Sequence, residues 1–234
     1  MKTRYTLHAI RYLLVVLFLI PACVTPPKIA DDKKPLAAGK ELPVEEQEQK
    51  VNELFGRILS LTEEAEDRQS ILLQMEALYD EIINNYPDVP LVEEIYWRLI
   101  ALSVEEFKPP KIDKAERLYK DFLRRYPNST LTFNIEQALG QFYYANKMWD
   151  RLLRIFTPYV KKFIATGKLD RAYHLFMFSE AKFNLGDLIE AEKGYKIVIE
   201  FFPKTTEGET SKKRLEEIKK LKKQVPAGSS TGGE

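Results

Sequence analysis

Three stretches of the chain end in the same way: YDEIINNYP at residues 79–87, YKDFLRRYP at 119–127 and YKIVIEFFP at 195–203. Each stretch places a tyrosine eight residues before a proline, with an apolar residue three positions after the tyrosine. Residues three apart lie on one face of an α-helix, and a proline stops a helix because it lacks a backbone donor. The stretches therefore predict three helices that end just before their prolines.

The rest of the middle region is predicted to be helical as well. Nearly every long segment spaces its apolar residues three and four positions apart, and no segment reads as a strand bounded by β-turn signals. Ala115 and Ala191 stand four residues before Tyr119 and Tyr195, where a small side chain lets two helices approach closely. An unrelated helical bundle, in which the tyrosine–proline endings recur by chance, is the alternative interpretation.

The pattern resembles the tetratricopeptide repeat (TPR), a helix–turn–helix unit of about 34 residues. The clearest copy runs from about Ala172 to Pro203. In it, Gly186-Asp187 matches the turn between the two helices of the family, and Ala191 and Tyr195 match its small and aromatic positions. Ser179 stands where the family usually has a glycine.

Three further copies are less regular and cover about residues 45–87, 96–127 and 131–166. In the last of these, Pro158 falls inside the second helix and predicts a kink there. The resemblance implies an all-α fold, a right-handed α-solenoid of about four TPR-like helical hairpins with a C-terminal capping helix.

The chain is divided into five parts on these grounds. Prolines without apolar periodicity indicate an extended spacer before the repeats. The lysine-rich helix after the repeats is interpreted as a cap, and contact with anionic lipid or an acidic partner is the alternative. The parts are a lipoprotein signal peptide at 1–22, a lipidated cysteine and proline-rich linker at 23–44, a TPR-like repeat domain at 45–205, a basic capping helix at 206–225 and a disordered tail at 226–234.

The beginning of the chain has the features of an export signal. Basic residues precede an eight-residue apolar run at 13–20, which is shorter than the roughly 20 residues of a membrane-spanning helix and fits a signal peptide. Ala22-Cys23 after this run resembles the lipobox of bacterial lipoproteins. That resemblance implies cleavage before Cys23, acyl chains such as palmitate on Cys23, and, with Val24 following, the periplasmic face of the outer membrane. An ordinary secretory signal with a chance cysteine is the alternative.

Composition excludes several kinds of site. Apolar residues make up 44% of the chain and charged residues 30%, which is globular composition. The 36 basic and 35 acidic residues leave no bulk positive field for nucleic acid. One cysteine excludes an internal disulfide and a multi-cysteine zinc or iron–sulfur site. We expect no metal and no cofactor beyond the covalent lipid on Cys23.

Catalysis is not expected either, so the chain is predicted not to be an enzyme. After removal of the signal peptide, His174 is the one histidine left for a Ser–His–Asp site. A packing or surface role suits His174 better, because it sits between Tyr173 and Leu175 in a repeat helix. Neither glycine-rich phosphate-binding motif is present, and the acidic run at 63–67 is interpreted as a solvated helix face or turn.

The resemblance to TPR proteins also implies a concave binding surface on the first helix of each unit. Its positions mix aromatic rings with amides, which suits an extended or helical peptide. Packing of several rings against a neighbouring unit or the C-terminal helix is the alternative. The positions are Trp97, Ile100, Val104 and Phe107 in the second unit, Asn134, Gln137, Gln141 and Tyr144 in the third, and Tyr173, Phe176, Glu180 and Phe183 in the fourth.

The order of lipobox, proline-rich spacer, repeat array and polar tail resembles the BamD-like lipoproteins of outer-membrane β-barrel assembly. This resemblance implies a non-catalytic scaffold that binds an envelope protein or peptide in its groove and reaches the membrane through its lipid. A pilotin-type lipoprotein of pilus or secretion assembly and a cell-division or peptidoglycan-associated adaptor are alternatives. An enzyme or small-molecule binder is a third class, which would need a closed polar pocket.

Overall fold

The computed structural model describes residues 42–224, and the fold in that range is all-α, as predicted. Nine helices and no strand occur among these residues. The helices are α1 (Val44–Glu64), α2 (Arg68–Asn85), α3 (Val92–Glu105), α4 (Ile112–Arg125), α5 (Thr132–Ala145), α6 (Trp149–Thr166), α7 (Ala172–Asn184), α8 (Leu188–Phe201) and α9 (Thr206–Gln224).

The prolines of the three tyrosine–proline stretches stand where helices end. Helices α2, α4 and α8 each finish two residues before one of them. At the end of α4, the backbone N–H of Tyr126 donates to the carbonyl of Phe122 at 2.8 Å, and Pro127 follows. The prediction that the tyrosine–proline stretches end their helices is confirmed.

The turn between α7 and α8 also follows from its residues. Gly186 has a φ of +82°, in the left-handed region that glycine adopts without strain. The carboxylate of Asp187 then accepts from the backbone N–H of Glu190 at 3.2 Å and caps α8. The Gly-Asp pair thus reverses the chain and starts the next helix.

Helix packing follows chain order with a second, alternating set of contacts. Most helices pack against the next one along the chain; in addition, α3 packs against α5, and α7 against α9. One apolar cluster runs from Val51 in α1 to Val198 in α8. A second cluster of Ala191, Tyr195 and Ile218 joins α8 to α9. The helix α9 therefore covers apolar surface that α7 and α8 would otherwise expose.

Small residues occupy the close approaches between helices. Ala115 and Ala191 are fully buried. A Cβ atom added to Gly194 in α8 would lie only 2.0 Å from the Oγ of Ser179 in α7. The pair of small side chains at 179 and 194 therefore sets the separation of these two helices.

Several predictions lie outside the described residues or remain open. The signal peptide, Cys23, the linker up to residue 41 and the tail at 226–234 are outside the described range. Helix α6 contains Pro158 and continues beyond it, and the kink there stays a prediction. Among the helices of residues 42–224, none has the length and apolar character needed to cross a membrane.

Candidate functional site

An open groove of about 390 Å³ lies between α3 and α5. The two helices are the first helices of consecutive predicted units, and they pack directly against each other. Trp97 forms part of the groove from α3, and amide side chains line it from α5. The lining residues are Trp97, Ala101, Glu105, Asn134, Gln137, Ala138 and Gln141.

Four of the residues predicted to face a ligand meet in this groove. They are Trp97, Asn134, Gln137 and Gln141. Gln137 and Gln141 are exposed, and Trp97 and Asn134 are half-buried. The groove therefore combines one indole wall with three primary amides, each of which can both donate and accept hydrogen bonds.

Sequence reasoning missed the three remaining lining residues. Ala101 and Glu105 stand four and eight positions after Trp97, and Ala138 stands four positions after Asn134. Residues four apart share a helix face, so the positions of Trp97 and Asn134 contained the signal for all three. The two alanines leave room between the helices, and Glu105 adds a carboxylate.

The groove has one acidic end. Burial raises the pKa of the Glu105 carboxyl above its ordinary value, and the neighbouring charge of Glu106 raises it further. At neutral pH, a ligand that brings a cation or a hydrogen-bond donor to Glu105 would relieve this unfavourable environment.

Ile100 and Val104 on α3, and Phe107 just after its end, are buried, which corrects the prediction for them. Ile100 and Val104 are at most 2% exposed, and Phe107 is 9% exposed. The reason is that α3 packs against α2, α4 and α5, so several of its faces are covered. Phe107 also lies under the ammonium group of Lys111, 3.9 Å from its ring centroid. These three side chains form core contacts and leave the candidate groove.

Glu180 in the fourth unit is buried too, so the prediction that it faces a partner is wrong. Its carboxylate is 1% exposed and accepts hydrogen bonds from the hydroxyls of Tyr144 at 2.8 Å and Tyr195 at 2.6 Å. Arg214 of α9 binds both of its oxygens. Burial alone would raise the pKa of Glu180, but these hydrogen bonds outweigh it and hold the pKa below its ordinary value.

Helix α9 covers the other predicted residues of that region. Phe176 and Phe183 pack around the cluster that contains Tyr195 and Ile218. The guanidinium of Arg214 lies 4.8 Å from the centroid of the Phe183 ring. These rings pack against the C-terminal helix, as the alternative interpretation predicted, and do not face a partner.

Tyr173 and Tyr144 are both half-buried and bonded within the fold. The Tyr173 hydroxyl lies 3.4 Å from the carbonyl of Gln137, and its ring meets Phe156 edge to face. The Tyr144 ring meets Trp149 edge to face at 5.5 Å. Their hydroxyls are thus engaged in joining α5 to α7.

His174 belongs to a buried polar cluster that the sequence did not reveal. Glu136 is fully buried and accepts from the hydroxyls of Tyr119, at 2.7 Å, and Tyr159. The Nε2 of His174 lies 3.1 Å from the other Glu136 oxygen, and the His174 ring stacks on Tyr159 at 3.9 Å. The members come from four helices, α4 to α7, so local spacing contains no signal for the cluster. Its burial suits packing rather than contact with a substrate.

A second, more polar depression of about 620 Å³ lies near the start of α4. Three of its four cations are paired within residues 42–224, and Arg117 is the exception. Lys111 and Lys114 bind the carboxylate of Glu76. Arg151 binds Glu116 at 2.7 Å. An anionic ligand would have to displace these carboxylates, so this depression is a weaker candidate than the groove.

Neither a family model nor a curated protein sequence matches the chain significantly. Within residues 42–224, no cluster of three or more histidine, cysteine or acidic side chains is arranged to hold a metal ion.

Proposed function

We propose that this chain is a lipid-anchored scaffold of TPR-like repeats that binds a segment of a partner protein between α3 and α5. The observation that carries the proposal is the convergence of Trp97 with three amides in one open groove. An indole supplies contact area at low entropic cost, and primary amides can pair with the backbone of a bound segment. No catalytic step is proposed.

The repeat architecture is part of the same proposal. Helices α3, α5 and α7 begin at Val92, Thr132 and Ala172, a regular spacing of forty residues. This spacing exceeds the roughly 34 residues of a TPR. Loops 106–111 and 126–131 account for the excess in the α3–α4 unit, and the eighteen-residue α6 accounts for most of it in the α5–α6 unit. Regular spacing, alternating packing of α3 with α5, and a covering last helix support a right-handed solenoid with α9 as its cap.

The bound segment is proposed to carry a cation or backbone donors toward Glu105. That carboxylate is exposed at the groove and forms no ion pair with residues 42–224. Partial desolvation and the charge of Glu106 raise its pKa. The amides of Gln137 and Gln141 are exposed on the opposite wall. A partner with one basic residue beside an apolar anchor for Trp97 fits this arrangement.

The setting proposed for this scaffold is the bacterial envelope. The lipobox-like Ala22-Cys23 supports an acyl anchor, and multiple acyl chains hold a protein stably at a membrane. The periplasmic face of the outer membrane and a role in β-barrel assembly follow from the resemblance to BamD-like lipoproteins. Labelled-palmitate incorporation tests the anchor: undiminished labelling of Cys23→Ser would refute it.

Site-specific photocrosslinking tests the groove and identifies its partner. A photoreactive amino acid at Gln137 or Gln141 should crosslink to an envelope protein in cells, and the same group at exposed Lys120 on α4 serves as control. A β-barrel assembly subunit captured only from the groove positions supports the full proposal. Capture of a pilus, secretion or division protein would favour the corresponding alternative, and equal capture at Lys120 would refute the groove.

A further inference from the structure

An apolar patch lies at the C-terminal ends of α6 and α8, away from the groove residues. We define this α6–α8 patch as Phe163, Ile164 and Phe201. The rings of Phe163 and Phe201 meet edge to face at 5.6 Å, which joins the two helix ends. Ile164 is 76% exposed and Phe201 is 45% exposed. The patch therefore presents large apolar side chains to solvent at a point where two helices meet.

Single exposed apolar residues need no explanation, but neighbouring ones mark contact surfaces. Val160, one turn before Ile164, and Ile197, one turn before Phe201, are half-buried and pack against the core. Burying Ile164 and Phe201 in the same way would have required another element over α6 and α8, and the described residues provide none there.

Lysines lie close in sequence to the patch. Lys161 lies one helical turn before Ile164, Lys168 follows the end of α6 and Gly167, and Lys204 lies three residues after Phe201. All three are exposed, and none forms an ion pair with residues 42–224. A fourth, Lys162, pairs with Asp170 at 3.1 Å. Glu200 and Glu207 are the other carboxylates close by in sequence, so four lysines stand against three acids and the rim carries a net positive charge.

We propose that the α6–α8 patch rests on an anionic phospholipid surface, with its apolar side chains in the interfacial region and its lysines at the phosphates. Exposed aliphatic and aromatic side chains within a rim of lysines are the combination by which proteins bind such an interface. Long lysine side chains place their stems along apolar surface and their ammonium groups at the headgroups. This contact is separate from the groove and from any acyl anchor, and it would orient the repeats relative to the bilayer.

The charge pattern selects this occupant over two others. A second copy of the chain would bring the same lysines face to face, which is unfavourable. An apolar peptide would leave Lys161, Lys168 and Lys204 without partners. A bilayer rich in phosphatidylglycerol supplies both an apolar layer and a dense array of anions.

A local fluorescent reporter tests the contact independently of the anchor region. The full chain with Cys23→Ser has no cysteine, so Ile164→Cys can be labelled uniquely with an environment-sensitive dye. The matched control is Leu73→Cys on α2, because Leu73 is also highly exposed, at 68%, and Gln69 and Ala77, four residues to either side, carry no charge. Glu76, three residues on, is paired with Lys111 and Lys114. Both proteins are mixed with vesicles of phosphatidylcholine alone or with phosphatidylglycerol.

The dye at 164 should show a blue shift and a severalfold rise in emission with anionic vesicles, and the dye at 73 should change little. Replacing Lys161, Lys168 and Lys204 together with glutamate should weaken the vesicle affinity reported at 164 by about tenfold or more. Circular dichroism confirms that the variants stay folded.

Equal responses at 164 and 73 would overturn the proposal, because they would come from general adsorption. A response at 164 without vesicles that grows with protein concentration would also overturn it, by identifying a second copy as the occupant. Neither result would bear on crosslinking at Gln137 and Gln141, so this inference and the proposed function fail separately.

Discussion

Arg214 in α9 binds the buried carboxylate of Glu180 in α7 through two hydrogen bonds, from Nε to Oε1 and from Nη2 to Oε2, both at 2.8 Å. Glu180 is almost fully buried, whereas Arg214 retains a quarter of its exposure. Removing one member of such a pair leaves an uncompensated charge in the interior, which is strongly destabilising. The pair therefore ties the last helix to the rest of the fold.

The first prediction concerns Arg214→Met. Loss of the Arg214 guanidinium should reduce the free energy of unfolding by about 2–4 kcal/mol, because the Glu180 carboxylate loses its cation while it stays buried. Urea denaturation followed by circular dichroism measures the change. Lys219→Met is the control, since Lys219 pairs with Glu216 on the exposed face of α9. A midpoint for Arg214→Met that equals the control would show that α9 is held by its apolar contacts alone.

The second prediction is a pH dependence from Glu180. Hydrogen bonds hold its folded-state pKa below the ordinary 4.5, despite burial. The stabilisation from this group is therefore complete above pH 4.5 and is lost as pH falls through the folded-state pKa. The stability gap between wild type and Glu180→Gln should be widest near about pH 6 and narrow toward about pH 3. A gap that stays constant would contradict the assignment, and effects of other carboxylates cancel in the difference.

Local features of the sequence explain the part of the fold that could be predicted. The prolines of the three tyrosine–proline stretches act through their own missing N–H, and Gly186-Asp187 reverses the chain through its own backbone and side chain. Such effects depend on neighbours in sequence, so the helix ends and the all-helical class follow from short segments. The resemblance to the first helix of a TPR likewise placed Trp97 and Gln141 in the groove, because it depends on positions within one helix.

Residues whose environment is set by distant helices could not be predicted in this way. Ile100 and Val104 have the same spacing as Trp97, but α3 is covered on several sides, which spacing within α3 does not reveal. Glu180 reads as a surface carboxylate until Arg214, thirty-four residues later, is placed beside it. Glu136 likewise depends on Tyr119 and Tyr159 from two other helices. Whether a charged residue is buried depends on partners from other helices, and the spacing of residues within one helix does not reveal those partners.

The third prediction compares two helical glycines. Gly194→Ala would place a Cβ 2.0 Å from the Oγ and 3.2 Å from the Cβ of buried Ser179, and we expect a cost of about 1–3 kcal/mol. Gly56→Ala meets nothing within 4 Å in the interior of α1 and should gain about 0.5–1 kcal/mol from helix propensity. Thermal or urea unfolding distinguishes the two signs.

A double-mutant cycle with Ser179→Gly checks the cause of the Gly194 effect. The two changes should couple favourably, because removing the Ser179 side chain makes room for the new methyl group. Ser179→Gly combined with Gly56→Ala should instead be additive, since those sites share no contact. Additivity at 179 and 194 would mean that the α7–α8 separation is set elsewhere.

The fourth prediction separates the groove from the core beneath it. Ile100→Ala should lose about 2–5 kcal/mol because it empties a fully buried site. Gln141→Ala should stay within about 0.5 kcal/mol of the stability of wild type, because the side chain is exposed and away from the core.

The two variants should rank the other way round in partner crosslinking from Gln137. Gln141→Ala should reduce the crosslinking although the protein is fully stable. Ile100→Ala should retain it at temperatures where the variant is folded, since Ile100 does not line the groove. If instead Ile100→Ala abolishes crosslinking while folded and Gln141→Ala leaves it intact, the partner binds through a rearranged α3 and the open groove is not its site.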